Sequence, residues 1–244
     1  MKKRTFSFLI LVALTFILVT SCSVDKKTEP RVIYLTENDL KWNFINNGTE
    51  IEITDCLVFP FDIIIPDELI FRPVTTLANR SFFRKGIKSI TIPKAVTFIG
   101  AYAFANNQLT KLTLGNRLKY INEGVFINNR LTSVVIPDSV ITIEKWAFMN
   151  NQITELVIGK NVTVIGAYAF MNNQLTSVTI PNNVTEIEIS AFADNQITRI
   201  TIGHNVLFGS DTAGLGGNFA FIYNRSGGTF TRQSANSTEW VRSR

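Results

Sequence analysis

The chain has 244 residues, 45% of them hydrophobic and 19 of them Phe, which is enough for a sizeable core in one large or two small domains. Its formal charge of +5 overstates the folded part, because Lys2, Lys3 and Arg4 stand in a leader without acids and leave +2 on residues 22–244. So even a balance excludes nucleic acid as a charge-driven partner.

The first 22 residues open with Lys2-Lys3-Arg4 and continue with Phe6 to Val19, a run of 14 mostly apolar residues. That length suits the hydrophobic region of a signal peptide and falls short of the ~20 residues a spanning helix needs. Residues 1–21 are therefore read as a signal peptide and the rest as translocated. Leu18-Val19-Thr20-Ser21-Cys22 resembles a bacterial lipobox, with Val19 in the place usually held by leucine. The resemblance implies cleavage before Cys22 and acylation of its thiol and amine, and several acyl chains on one residue anchor a protein stably. Ordinary signal-peptide cleavage near the same point is the alternative. With Cys22 lipidated, Cys56 is a free thiol; without lipidation, a Cys22–Cys56 disulfide is open.

Residues 22–31 are short, polar and include Pro30, as expected of a tether. Leu40–Ile45 and Glu50–Thr54 flank Asn46-Asn47-Gly48, a predicted hairpin with an Asn-Gly turn. Ile63-Ile64-Ile65-Pro66 reads as a strand ended by proline. Eight residues separate Pro66 from Val74, against three between Pro93 and Val96, so this rung carries an insertion of five. Residues 32–86 are read as an N-terminal cap plus an irregular first rung.

From there the chain repeats. Phe82, Phe104, Phe126, Phe148, Phe170 and Phe192 stand 22 residues apart. Three further columns keep the same spacing, exemplified by Leu109 and Leu131, by Ile99 and Ile121, and by Asn107 and Asn129. A second period lies on top: Pro93, Pro137 and Pro181 alternate with Gly115, Gly159 and Gly203, so the array reads as a duplicated 44-residue pair. Within one unit, Leu109 to Leu114 alternates apolar and polar residues, the mark of a short strand with Leu112 and Leu114 inward and Lys111 and Thr113 outward. A second extended piece at Thr97-Phe98-Ile99 leads into Ala103-Phe104, a predicted helical or 3₁₀ turn, and Asn-Asn-Gln closes the unit. The Asn column is read as structural, since an amide both donates to and accepts from the backbone of neighbouring turns. No unit can bury its own apolar face, so units must stack, and six rungs at ~4.8 Å give a solenoid on the order of 30 Å long over residues 87–208.

After Val206 the repeat fails. Gly209 to Gly217 reads as a loop, and Phe219–Tyr223 with Thr229–Arg232 as a hairpin, with Trp240 packing nearby. Residues 209–244 are accordingly a C-terminal cap, which an open solenoid needs over its last rung.

The stretch Ile90-Thr91-Ile92-Pro93 to Ala103-Phe104 follows the pattern I-x-I-P-x-x-V-T-x-I-G-x-x-A-F and resembles the BspA-like, or treponemal-type, leucine-rich repeat over about residues 63–209. Many members have 23-residue units with a cysteine near the end; here the unit has 22 and Asn-Asn-Gln stands there. The fold expected is mainly β, a leucine-rich-repeat solenoid with short helical or 3₁₀ turns and divergent end caps. The resemblance implies a bacterial surface or envelope protein, often one that attaches to host matrix or other cells.

The residue inventory opposes catalysis and cofactor chemistry. One histidine, His204, excludes a multi-histidine metal cluster, and it sits in a turn whose counterparts vary, such as Lys94 and Asn116. Gly214 to Asn218 lacks the context and lysine of a phosphate loop, and Glu186 and Glu188 occupy variable, solvated repeat positions. No cofactor, metal, nucleic acid or small-molecule substrate is expected. The candidate for recognition is the outward strand surface, with one column of Ser89, Lys111, Ser133, Glu155, Ser177 and Arg199 beside a second of Thr91, Thr113, Val135, Val157, Thr179 and Thr201. A protein ligand, from host matrix or a cell surface, fits a flat platform of small residues with isolated charges. Exposed strands favour Thr and Val in any case. Ser23 after Cys22 favours outer-membrane sorting over inner-membrane retention, and a periplasmic scaffold is the other placement.

Overall fold

A computed structural model describes residues 32–58, 62–210 and 212–243. Residues 1–31, read from the sequence as a signal peptide and a tether at Cys22, lie outside these residues. The rest coils into a β-solenoid whose rungs lay short strands on two opposed faces. The first face carries Val32–Tyr34, Asp62–Ile64, Ser89–Thr91, Lys111–Thr113, Ser133–Val135, Glu155–Val157, Ser177–Thr179 and Arg199–Ile202 in rung order. The opposite face carries Arg72–Leu77, Phe98–Ile99, Tyr120–Ile121, Thr142–Ile143, Val164–Ile165, Glu186–Ile187 and Leu207–Phe208. Ladders along both faces are parallel and in register, as in Ser133↔Glu155 and Thr142↔Val164. On the first face they break between Thr113 and Ser133 and between Val157 and Ser177, each time ahead of a proline (Pro137, Pro181) that has no N–H to give, although the ladder runs unbroken up to Pro93. The Pro/Gly alternation of the sequence thus reappears as a pairing of rungs.

One rung shows how the pattern makes the core. Leu131, Val134, Ile136, Val140, Ile143, Ala147 and Phe148 all point inward and are buried. Each large side chain gains roughly 1.5–3 kcal/mol by burial, but only because neighbouring rungs close over it. The Phe column runs from Phe82 to Phe192 as a continuous stack, with ring centroids 5.0, 5.6, 5.3, 5.4 and 5.5 Å apart.

The turn around Ala103-Phe104 is built from two successive i→i−3 bonds, Ala103 N–H to Gly100 O and Ala105 N–H to Tyr102 O. It does not continue as a helix, because Tyr102 and Asn106 have φ of 58° and 57°. The same left-handed pair recurs four residues apart as Trp146/Asn150 and Tyr168/Asn172. Alternate N–H groups then point along the stack, and Phe104 donates to Val125 O in the next rung. In the column of Tyr102, Trp146 and Tyr168, whose left-handed backbone it shares at φ 57°, Gly124 makes room for its neighbour, since a Cβ there would lie 2.4 Å from the Tyr102 ring.

At the N-terminal end, Leu40–Ile45 and Glu50–Cys56 form the expected antiparallel hairpin around Asn46–Gly48. The five-residue insertion becomes a second hairpin, Glu68–Leu69 against Arg72–Leu77, turned by Ile70 and Phe71 with φ of 48° and 59°. At the C-terminal end one expectation fails. Phe219–Tyr223 is a helix, and the hairpin is instead Gly228–Arg232 with Trp240–Arg242, added antiparallel to Arg199–Ile202. Phe219 and Tyr223, four apart, bury one helix face, and Asn224 ends the helix in the left-handed region at φ 36°. Trp240 packs into this cap and is buried.

Candidate interaction surface

The strand alternation brings all twelve outward residues of the sequence reading onto the first face. Thr91, Lys111, Thr113, Ser133, Val135, Glu155, Val157, Ser177, Thr179 and Arg199 are exposed; Ser89 and Thr201 are half-buried. Register sets the neighbours: Ser89 beside Lys111, Ser133 beside Glu155, Ser177 beside Arg199. Val135 and Val157, adjacent across rungs, are 63% and 58% exposed, which puts a small apolar patch at the middle of a charged platform.

The face is longer than the sequence showed. The irregular rung adds Asp62, whose carboxylate accepts a hydrogen bond from Ser89 Oγ at 2.7 Å, and Val32–Tyr34 pairs beyond it. At the far end Thr229 Oγ1 meets Thr201 Oγ1 at 2.9 Å. Asp62 escapes a search for columns because 27 residues, not 22, separate it from Ser89.

Two other surface features lie outside the columns described above. On the second face Phe98 and Tyr120 are 45% and 49% exposed, at equivalent repeat positions that the 22-residue spacing could have flagged. Along the turn side, Tyr102 O–H donates to Glu123 Oε1 at 2.5 Å, Lys145 pairs with Glu123 at 3.3 Å, and Lys145 Nζ lies 4.7 Å from the Trp146 ring. Burial and the Glu123 bond push the Tyr102 hydroxyl up to about 12.

The residues that chemistry would use are tied into structure. The Asn column is structural as expected. Asn129 Oδ1 accepts from Leu109 N–H at 3.0 Å while its Nδ2 donates to Phe104 O and Phe126 O. Cys56 is buried, its thiol pushed up by burial, with Sγ directed at Val58 O; Cys22 lies outside the described residues. His204 is exposed, and its Nδ1 accepts from Gly227 N–H at 3.1 Å, which fixes the cap. A shallow hollow of about 440 Å³ beside Leu207 and Tyr223 has its phenol committed, accepting from Val206 N–H and donating to Gly203 O. Among the described residues no group of three or more His, Cys, Asp or Glu could hold a metal, and no helix is long and apolar enough to cross a membrane.

The model of the BspA type leucine rich repeat region matches residues 75–199 in six copies. The chain belongs to that family. Among solved structures, the chain is similar to a leucine rich cell surface protein from Faecalibacterium prausnitzii A2-165, at 23% identity and a TM-score of 0.55 over 69% of this chain and 54% of that one. This chain thus spans about half the length of that relative, and the likeness is one of fold. A leucine rich repeat protein of T. pallidum aligns over 72% of this chain and 86% of its own, at 18% identity and a TM-score of 0.46. No curated protein matches. The family's solenoids are typically non-enzymatic.

Proposed function

We propose that the chain is a surface-anchored lipoprotein, secreted through its signal peptide, held at the outer membrane or cell surface by acylated Cys22, and that its first strand face binds a protein of host matrix or of another cell. The observation that carries this reading is the face itself, where the exposed Val135–Val157 patch lies among exposed Lys111, Glu155 and Arg199 on successive strands of one stack. Such a mixed platform fits a protein surface better than a small molecule, which needs a concave site. No chemical step is assigned to it.

The test is adhesion of producing cells to immobilised extracellular-matrix protein, with wild type against the combined variant Lys111→Glu, Glu155→Lys, Arg199→Glu. Attachment should fall while surface level and folding hold. Equal attachment sinks the assignment of this face. Protease shaving of intact cells, with a lysed control, tests the location. Protection until lysis moves the protein to the periplasm and its partners inside the envelope.

A further inference from the structure

The charges on the first face alternate in sign. Register places Asp62, Ser89 and Lys111 on successive rungs, then Ser133 and Glu155, then Ser177 and Arg199. The column therefore reads acid, base, acid, base, with a serine between each pair. Charges recur every second rung, about 9.6 Å at the usual strand spacing. The 44-residue duplication accounts for the spacing but not for the signs, and Asp62 belongs to the irregular rung outside it.

A column ordered this way is complementary to itself when reversed. We propose that this face pairs with the same face of a second copy, rung order antiparallel, about a twofold axis that runs along the strands at Ser133. The inference deepens the reading of this face as the binding surface and rests on it. Ser133 is the middle of the seven rungs from Asp62 to Arg199. The axis sets Asp62 opposite the second copy's Arg199, and Lys111 opposite the second copy's Glu155, twice each. Val135 meets its own counterpart at the centre, and Val157 meets Thr113. The parallel arrangement puts every charge against its like, and like-charge juxtaposition is what suppresses wrong registers. Self-complementarity of one patch is the signature of a twofold interface.

The area decides how strong the pair is. A platform on the order of 30 Å by 13 Å covers roughly 400 Å² per copy, about half of a standard interface. Association is therefore weak and reversible for single molecules, and accumulates only when many copies face one another. The antiparallel order sends the two N-terminal ends out in opposite directions. With tethers at those ends, the pair joins two facing surfaces rather than neighbours on one.

A charge swap tests this on the full chain, by sedimentation equilibrium in density-matched detergent. Wild type should dimerise with concentration and dissociate with added salt. Lys111→Glu alone and Glu155→Lys alone each turn two attractive pairs into two repulsive ones, and each should weaken self-association roughly tenfold or more. Mixing these two single variants should restore association between them, and the double variant should dimerise as wild type does. A mere loss of folding cannot produce that restoration. The inference is overturned if wild type stays monomeric at concentrations approaching millimolar, or if the mixture associates no better than its components. A monomeric wild type whose matrix attachment is lost on triple reversal removes the self-pairing alone. Swap-dependent pairing with unchanged attachment removes the matrix reading alone.

Discussion

Replacing Asn151 by Ala isolates the role of the buried amide column. In the folded chain Asn151 Oδ1 accepts from Leu131 N–H at 3.1 Å, and Nδ2 donates to Phe126 O at 3.0 Å, Phe148 O at 3.1 Å and Met149 O at 3.4 Å. The carbonyls are shared. Phe126 O keeps the amide of Asn129 and Phe148 O keeps that of Asn173, so neither is left bare. Leu131 N–H loses its acceptor in a buried position, which costs roughly 1–3 kcal/mol, and the bonds lost alongside raise the total to about 2–4 kcal/mol. The site is mid-array, where the solenoid cannot shed the defect by fraying from an end. The adjacent Asn150 supplies the control. Its φ of 57° suits Gly, and its side chain bonds only to Asn128 and Asn172 in a partly exposed row. Asn150→Gly should stay within about 1 kcal/mol of wild type, because surface polar bonds exchange with water. Guanidinium unfolding followed by circular dichroism measures both. Equal losses in the two variants, or a loss below about 1 kcal/mol in Asn151→Ala, would refute the reasoning.

Phe148→Ala removes a fully buried ring stacked at 5.3 and 5.4 Å on its two neighbours, and should cost about 3–5 kcal/mol by thermal or chemical unfolding. The Ile70-Phe71 turn has φ of 48° and 59° in residues that disfavour such values, with Phe71 90% exposed. Ile70→Asn with Phe71→Gly should therefore stabilise the chain by about 1 kcal/mol, read as a higher melting temperature. Asp55 is raised somewhat by burial, but Lys85 at 3.1 Å and Lys41 at 3.5 Å outweigh this and hold its carboxyl below the usual 3.8. A depressed folded pKa adds stability that is present above pH 3.8 and is lost as pH falls through the folded value. Asp55→Asn should thus narrow the difference in melting temperature between pH 6 and pH about 3, and an unchanged difference would count against the pair.

The six regular rungs were legible because position and role recur together. Phe148, Ile143 and Asn151 each belong to a column, and the structure gives every member of a column one job. The left-handed turn position was not legible, because Tyr102, Gly124, Trp146, Tyr168 and Ser190 share a backbone conformation but no chemistry. Only Gly124 hinted at it. The insertion could be counted but not shaped, since Ile70-Phe71 inverts the Asn-Gly preference of such turns. Phe219–Tyr223 failed for a different reason: a five-residue apolar run fits strand or helix equally until its packing partners are known. On the candidate face, alternation predicted which side chains point outward, while Asp62 emerged only from the observed register.

A stack held together by identical columns has no internal reason to stop, so the C-terminal end must use residues unable to continue it. Gly214 stands 22 residues after Phe192, where the next ring of the ladder would be, and Ala213 stands 22 after Ala191. The turn is retained there, since Phe192 N–H still donates to Ala213 O. The ring is not: a Cβ on Gly214 would lie 2.5 Å from Ala193 Cα, and φ is 81°. The row of Asn106, Asn128, Asn150 and Asn172 ends one rung earlier at Asp194, whose carboxylate has no N–H to hand back. Beyond it, Phe219 meets Phe208, Phe230 and Trp240 edge-on at 87°, 75° and 68° and stacks on Tyr223 at 6°, so the rings of the cap pack on one another instead of extending the Phe column. Gly214→Ala tests the argument against Gly216→Ala, which has φ of 63° but nothing within 4 Å of its added Cβ. The second change carries only the left-handed penalty of roughly 1 kcal/mol, while the first adds overpacking of about 1–3 kcal/mol. If the two variants melt together, the end of the solenoid is set by the cap alone and not by the residue that interrupts the Phe column.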